Sequence, residues 1–331
     1  MVNLKQWIPK LAGNVILVVG DVILDEYVTG KTTRLSREAP VPVLEFESRH
    51  WIPGGAANPS ANIVALGSTV VQVGVVGVDA AADNMRQVLR ERGIDSSGLI
   101  TDRKRPTTVK TRIMAHMGLR FPQQVARLDT VSHQPIDDST EAAIHAVLEA
   151  TTTDVKAVLL SDYHAGLLTP TLVAAVRHLA ADRAVLLTVD AQGELDKYTR
   201  FGVVKCNADD AREYLRRDLL SDADFEVAAA ELRDKLGLTS GMVITRGARG
   251  ATIAANGIAP VHCPAPAVTD VFDVVGAGDT TIAVLTLALA AGASLVEATS
   301  LANYASGLVV RRVGNYCPTP DELLWALDEW H

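Results

Sequence analysis

Val15-Ile-Leu-Val-Val-Gly-Asp21 is an unbroken apolar run closed by a glycine and an aspartate. A short segment that is apolar at every position suits a strand covered on both faces, not the alternation of a half-exposed one. The same form recurs at Val70–Val76, Ala157–Leu160, Ala184–Val189, Val203–Cys206 and Met242–Thr245, each run ending near Gly, Asp or Asn. Helix-length segments lie between them at Ala56–Leu66, Ala81–Arg92, Ser139–Ala150, Pro170–Ala180 and Asp222–Lys235. This alternation predicts a doubly wound α/β fold, with a mostly parallel sheet and helices on both faces.

Thr29–His50 and Lys104–Asp129 break the pattern. Both are rich in Thr, Val and Arg and lack helical periodicity, so they predict extra strands forming a small β-sheet lid. No Ser/Gly linker, low-complexity tract or internal repeat divides the chain. The reading is one domain over residues 1–331 with a discontinuous lid.

The chain has 331 residues, 48% of them hydrophobic, which is enough for a large core. Its formal charge of −8, with no dense basic run, argues against nucleic acid as the main partner. Cys206, Cys263 and Cys317 show no metal-like spacing, as expected of thiols in a reducing compartment. Gly20 and Asp21 interrupt any signal-like apolar segment, and Ile282–Ala291 is too short to cross a membrane. A cytoplasmic location is therefore expected.

Asp273-Val-Val-Gly-Ala-Gly-Asp279, leading directly into the apolar stretch Thr280–Ala291, carries the chemistry. Gly276, Ala277 and Gly278 suit a tight turn whose amides converge on one point, and the positive end of the following helix adds to that field. Asp279, in the first turn of that helix, would be repelled by a bound anion unless it had a proton to take. That arrangement fits phosphoryl transfer to a hydroxyl, with Asp279 as general base. The turn alone is equally compatible with a plain helix start, where an aspartate is good electrostatics and nothing more.

A second glycine motif, Pro53-Gly-Gly-Ala-Ala-Asn58, also opens a helix. With these two motifs in this order and spacing, the chain resembles the ribokinase/PfkB family of sugar kinases over nearly its whole length. Within it, Gly20–Asp25, Glu38–Val43, Lys110-x-Arg112, Arg127-Leu-Asp129 and Ser161-Asp-Tyr163 are similar to the heptose 7-phosphate kinase subgroup. There is no Gly-x-x-x-x-Gly-Lys-Ser/Thr, so a P-loop architecture is excluded, and no dinucleotide fingerprint follows the first strand.

The resemblance implies roles residue by residue. Asp21, at a strand end, would accept sugar hydroxyls, although a strand-end cap reads the same way. Gly54 and Gly55 would let the sugar lie against backbone, with Asn58 beside it and Asp162 also on the substrate. Lys110, Arg112 and Arg127 would clamp the substrate's phosphate; Arg34 and Arg37 are weaker candidates, and basic residues on a strand are commonly just a solvated face. Lys205, Asn207, Thr245, Gly247 and Asn303 would hold ATP, Asn303 beside the adenine. Asp210, standing where the family has Glu, would organise Mg²⁺, and Asp273 would support a monovalent cation, K⁺. The implied activity is ATP-dependent phosphorylation of D-glycero-D-manno-heptose 7-phosphate at its anomeric hydroxyl, in a homodimer joined through the lid. Because the chain ends at His331, it is expected to carry the kinase step alone. Another sugar phosphate such as a hexose 6-phosphate, or a non-catalytic sugar-phosphate-binding regulator, would share many of these features.

Overall fold

The structure is a computed structural model describing residues 3–116, 122–151 and 154–330. Residues 117–121, inside the expected lid segment Lys104–Asp129, and the terminal His331 lie outside the described residues. In chain order, a short α1 (Ile8–Leu11) precedes β1 (Val15–Gly20), β2 (Val22–Leu35), β3 (Pro42–Gly55) and α2 (Ala57–Ala65). Then come β4 (Thr69–Val76), α3 (Ala80–Glu91), β5 (Asp95–Thr101), β6 (Val109–His116), β7 (Gln123–Thr130) and α4 (Asp138–Thr151). The middle holds β8 (Ala157–Ser161), α5 (Pro170–Asp182), β9 (Leu186–Asp190), β10 (Val203–Asn207), α6 (Ala208–Leu215) and α7 (Asp222–Leu236). Last are β11 (Gly241–Thr245), β12 (Ala251–Ala255), β13 (Val261–Cys263), α8 (Ala277–Ala290), α9 (Leu295–Val309) and α10 (Pro320–Glu329).

Among the described residues, nine strands form the main sheet in the order β13-β12-β11-β10-β9-β8-β1-β4-β5. It is parallel from β5 to β11, and β12 and β13 add an antiparallel edge. The period of two sorts each strand between two cores. Ile16 and Val18 face one core, with α2, α3, α8, α9 and α10; Leu17 and Val19 face the other, with α4, α5 and α7. This is the doubly wound fold that the apolar runs predict. The run from Thr280 to Ala288 is buried all round, as α8 lies between the sheet and α2 and α9. Its buried threonines are satisfied in pairs, Thr280 on Asn62 and Thr286 with Thr188.

The second sheet has the order β3-β2-β6-β7. It extends past the expected Thr29–His50 limits, to Val22 at one end and Gly55 at the other. Only Asp21 separates β1 from β2, because the chain turns away from the main sheet there: Asp21 N bonds Ser161 O at 3.2 Å, and the amide of Ala56 returns to Asp21 O at 2.9 Å. Register places Ile52, Asp25, Lys110 and Asp129 in one row across this sheet and His50, Tyr27, Arg112 and Arg127 in the next row on the same face.

Candidate active site

The carboxyl ends of β1, β8, β9, β10 and β11 converge with the N-terminus of α8, where open α/β sheets hold their ligands. Asp273 fastens the entering turn, its Oδ1 accepting from Val275 N at 3.0 Å and its Oδ2 from Gly314 N at 2.9 Å. Gly276 takes φ +80°, and an added Cβ would meet Asn58 Nδ2 at 2.8 Å and Asn315 Oδ1 at 3.0 Å, so both conformation and space require glycine. Gly278 differs from expectation: its backbone is ordinary, and it is small because Lys205 Nζ lies 3.1 Å from where a Cβ would stand. The Ala277 amide bonds Val274 O at 3.3 Å, and Thr280 N makes the bond to Gly276 O at 2.9 Å. The amides of Gly278 and Asp279 therefore lie in the first turn, without intrahelical acceptors, at the positive end of the helix. Lys205 completes this positive corner, held by Asp190 through two contacts of 2.7 Å.

Asp279 is buried, with Tyr163 Oη donating to its Oδ1 and Asn58 Nδ2 to its Oδ2, both at 2.7 Å. Burial, then the nearby Asp190, pushes its pKa up to about 6, although Tyr163, Asn58 and Lys205 all favour the ionised form. Such a carboxylate is ionised at neutral pH and basic enough to take a proton.

On the lid side the structure corrects the sequence reading. Asp21 does not face the site: its carboxylate accepts the amides of Tyr163 (2.9 Å), Ala165 (3.1 Å) and Leu167 (3.3 Å), clasping the loop after β8. Asp162 is likewise occupied, by Lys197 at 2.7 Å, by the Tyr198 hydroxyl and by His164 N at 2.9 Å, and only 2% of it is exposed. Asp25, four residues on, is the carboxylate that lies beside Gly54 and Asn315. A Cβ on Gly54 would sit 2.2 Å from Asp25 Oδ2, so this glycine makes room for Asp25. Gly55, at φ +54°, similarly lets the chain pass against Asp21 O.

Asn315 links Asp25 to the Gly276 turn. Its Nδ2 donates to Asp25 Oδ2 at 2.8 Å and to Pro53 O at 3.0 Å. Both partners are acceptors, which fixes the amide's orientation and leaves Oδ1 buried without a partner, beside Gly276. No motif flagged Asn315. Asp25 and Tyr163 fall within Gly20–Asp25 and Ser161–Tyr163, but nothing local distinguishes them from their neighbours.

Lys110 and Arg112 share one sheet face, as their alternation predicts, and the register of β7 brings Arg127 opposite Arg112 onto the same face. Their surroundings differ. Lys110 Nζ stands 5.0 Å over the Tyr163 ring, Arg112 is buried against Asp25 and over Tyr27, and Arg127 is half-exposed, bonded to Asp129 at 2.9 Å. Arg34 and Arg37 are exposed at the far end of the β2–β3 hairpin. Arg34 is nine residues along β2 from Asp25, roughly 30 Å at the rise of a strand, and so does not join the cluster.

An open cleft of about 810 Å³ runs from Gly276–Asp279 past Lys205 and Asn207 to Thr245 and Gly247. Asn207 caps α6, its Oδ1 accepting from Asp209 N (2.7 Å) and Asp210 N (2.9 Å), while Asp210 Oδ2 accepts from Asn207 N at 3.2 Å. Thr245 Oγ1 bonds Cys206 O at 3.3 Å. Asn303 is not among the cleft's lining residues; its Nδ2 holds the carbonyls of Cys263 (2.9 Å) and Pro264 (3.1 Å) and braces the chain leaving β13. Among the described residues, no three His, Cys, Asp or Glu side chains gather as a metal cage, and no helix is long and apolar enough to cross a membrane.

A family model for the pfkB family carbohydrate kinases matches residues 14–322. The chain belongs to that family. It is a sugar kinase, and kinases of this family work with ATP and a divalent metal ion. This PfkB kinase is 40% identical over 319 residues to the bifunctional protein HldE of Caulobacter sp. (strain K31), covering 95% of this chain and 62% of that one. It is 36% identical over 327 residues to HldE of Hyphomonas neptunium, covering 98% and 66% respectively. The chain thus spans less than two thirds of the length of these relatives. Its fold is that of Escherichia coli phosphofructokinase-2 in complex with substrates and products (TM-score 0.77, 17% identity, 96% of this chain and 99% of that one). Arabidopsis thaliana ribokinase complexed with ribose and ATP is also similar (TM-score 0.71, 18% identity, 96% and 99%).

Proposed function

We propose that this PfkB kinase transfers the γ-phosphoryl group of ATP to the anomeric hydroxyl of D-glycero-D-manno-heptose 7-phosphate, giving the 1,7-bisphosphate and ADP. The observation that carries the reaction is the placement of Asp279 in the first turn of α8, beside its free amides and bonded by Asn58, which with Asn315 flanks Gly276. The sugar hydroxyl loses its proton to Asp279 as its oxygen bonds to the γ-phosphorus and the bond to the β-phosphate oxygen breaks. The Gly278 and Asp279 amides and Lys205 stabilise charge on the transferring group. Asp25 holds Arg112 on Oδ1 and Asn315 on Oδ2 and would accept a sugar hydroxyl with its remaining acceptor capacity, and the unpartnered Asn315 Oδ1 would take one more.

The heptose assignment is supported by the motif likeness and by the basic face of the second sheet, where Lys110 and Arg127 would meet a distal phosphate. The divalent ion, Mg²⁺, would neutralise phosphate charge. Asp210 fits a water-mediated part in holding it, since only its Oδ2 is engaged, by Asn207 N. Asp273 fits a supporting part for K⁺, because it fixes backbone on both sides of the turn. The same sheet supports a dimer: Phe46 and Leu128 are 67% and 65% exposed. Sedimentation of Phe46→Glu and Leu128→Glu checks this; both variants should be monomers.

ADP release with heptose 7-phosphate, fructose 6-phosphate and unphosphorylated sugars tests the substrate. Heptose 7-phosphate should give the highest kcat/KM. A preference for fructose 6-phosphate would replace the heptose reading, and release with none of them would favour a binding protein.

A further inference from the structure

Tyr163 is in contact with both the lid and the base. Its hydroxyl donates to Asp279 Oδ1 at 2.7 Å, and Lys110 of β6 lies over its ring at 5.0 Å. The loop that carries it is pinned by three amide bonds to Asp21, at Tyr163, Ala165 and Leu167. The backbone carrying the ring is therefore fixed, and the ring's contact with Lys110 and the hydroxyl's bond to Asp279 set the side chain's direction.

We infer that Tyr163 is a positioning residue for the phosphoryl-transfer step: its hydroxyl holds Asp279 ionised and turned toward the acceptor hydroxyl. This rests on the reading of Asp279 as the base. The groups facing Asp279 are Asp190 from β9, Lys205 from β10, Asn58 from α2, Cys317 from the turn before α10, and Tyr163 itself. Asp190 opposes ionisation, and Lys205 and Asn58 favour it, so the base is balanced among fixed groups. Around Tyr163 stand Asp279, Asp190, Asp25 and Lys110. Burial, followed by Asp279 and Asp190, raises the phenol's own pKa well above its ordinary value, so it remains a donor throughout the working pH range.

The test uses two readouts on the full chain. The first is titration of Asp279 by carboxyl NMR on ¹³C-aspartate-labelled protein, with the resonance assigned by its absence in Asp279→Asn. The second is the acid limb of kcat/KM against pH, with heptose 7-phosphate and ATP as probes. Tyr163→Phe keeps the ring beneath Lys110 and removes only the donor. It should move both midpoints upward by about 1–2 pH units, the equivalent of one charge-assisted hydrogen bond. Incorporating 3-fluorotyrosine at position 163, a stronger donor of nearly the same size, should move both downward, and it serves if Tyr163→Phe folds poorly. An Asp279 titration that stays put in the variants would overturn the inference while leaving Asp279 as base. A titration that moves while the rate limb stays would mean that Asp279 is not the base, and the proposed mechanism would fall with it.

Discussion

Asn58 Nδ2 donates to Asp279 Oδ2 at 2.7 Å, joining α2 to the first turn of α8 across 221 residues of chain. The two glycine motifs thus meet at one carboxylate. Gly276 must be small partly because Asn58 crosses in front of it, so the first motif closes the site that the second one builds.

Asp279→Asn should lower turnover by on the order of 10²–10⁴-fold, the usual cost of losing a general base. The fold should survive, because the amide can accept from Asn58 and donate to the Tyr163 oxygen. The same variant has a stability signature. Burial raises the folded-state pKa from 3.8 to about 6, so the native state binds this proton more tightly than the unfolded chain. Stability contributed by the protonated form is complete below about pH 4 and is lost as pH rises through 6. Above that, the ionised carboxylate costs up to about 3 kcal/mol, which the neutral amide avoids. Thermal melts should show Asp279→Asn gaining on wild type between pH 4 and 6 and holding the gain above it. Near-normal turnover, or a flat difference in stability, would contradict the assignment.

Gly276→Ala should abolish turnover through geometry. The added methyl would stand 2.8 Å from Asn58 Nδ2 in a backbone at φ +80°, so either the turn or Asn58 must move. A strained left-handed residue costs roughly 1–3 kcal/mol, a loss a domain of this size tolerates. A cooperative melt with turnover reduced by several orders of magnitude is expected. Gly278→Ala, placed 3.1 Å from the Lys205 ammonium that Asp190 holds, meets one side-chain end in an ordinary backbone conformation, so it should be milder and should raise KM for ATP.

The strands and the α8 turn were legible in the sequence because each is decided by local pattern: an apolar run, or glycines before a helix. The aspartates were not. Asp21 and Asp25 both follow the same apolar run, and Asp21 has the more conspicuous position at its end. What separates them is distant: the 163–167 loop occupies Asp21, while Asn315, from the turn before α10, reaches Asp25. Asn315 carries no motif, and its importance comes from where the C-terminal turn packs. Lys205 was visible at a strand end, but its partner Asp190 emerges only from the register of β9 beside β10.

The basic face of the second sheet separates binding from structure. Arg127 is half-exposed and, among the described residues, is bonded to Asp129 alone, so Arg127→Ala should leave the melting temperature nearly unchanged. If it holds the substrate's distal phosphate, KM for heptose 7-phosphate should rise about 10–150-fold while KM for ATP stays constant. Arg112→Ala should behave differently, since it leaves Asp25 buried beside Asn315 without its cation. Breaking a buried pair costs about 3–5 kcal/mol, so a lower melting temperature and weaker sugar binding should appear together. The same sugar without its phosphate decides the matter. Wild type should use it poorly and Arg127→Ala no worse, whereas Arg112→Ala should lose activity on both sugars if Asp25 serves the ring as proposed. Equal losses on both sugars for Arg127→Ala would remove the phosphate clamp from this face.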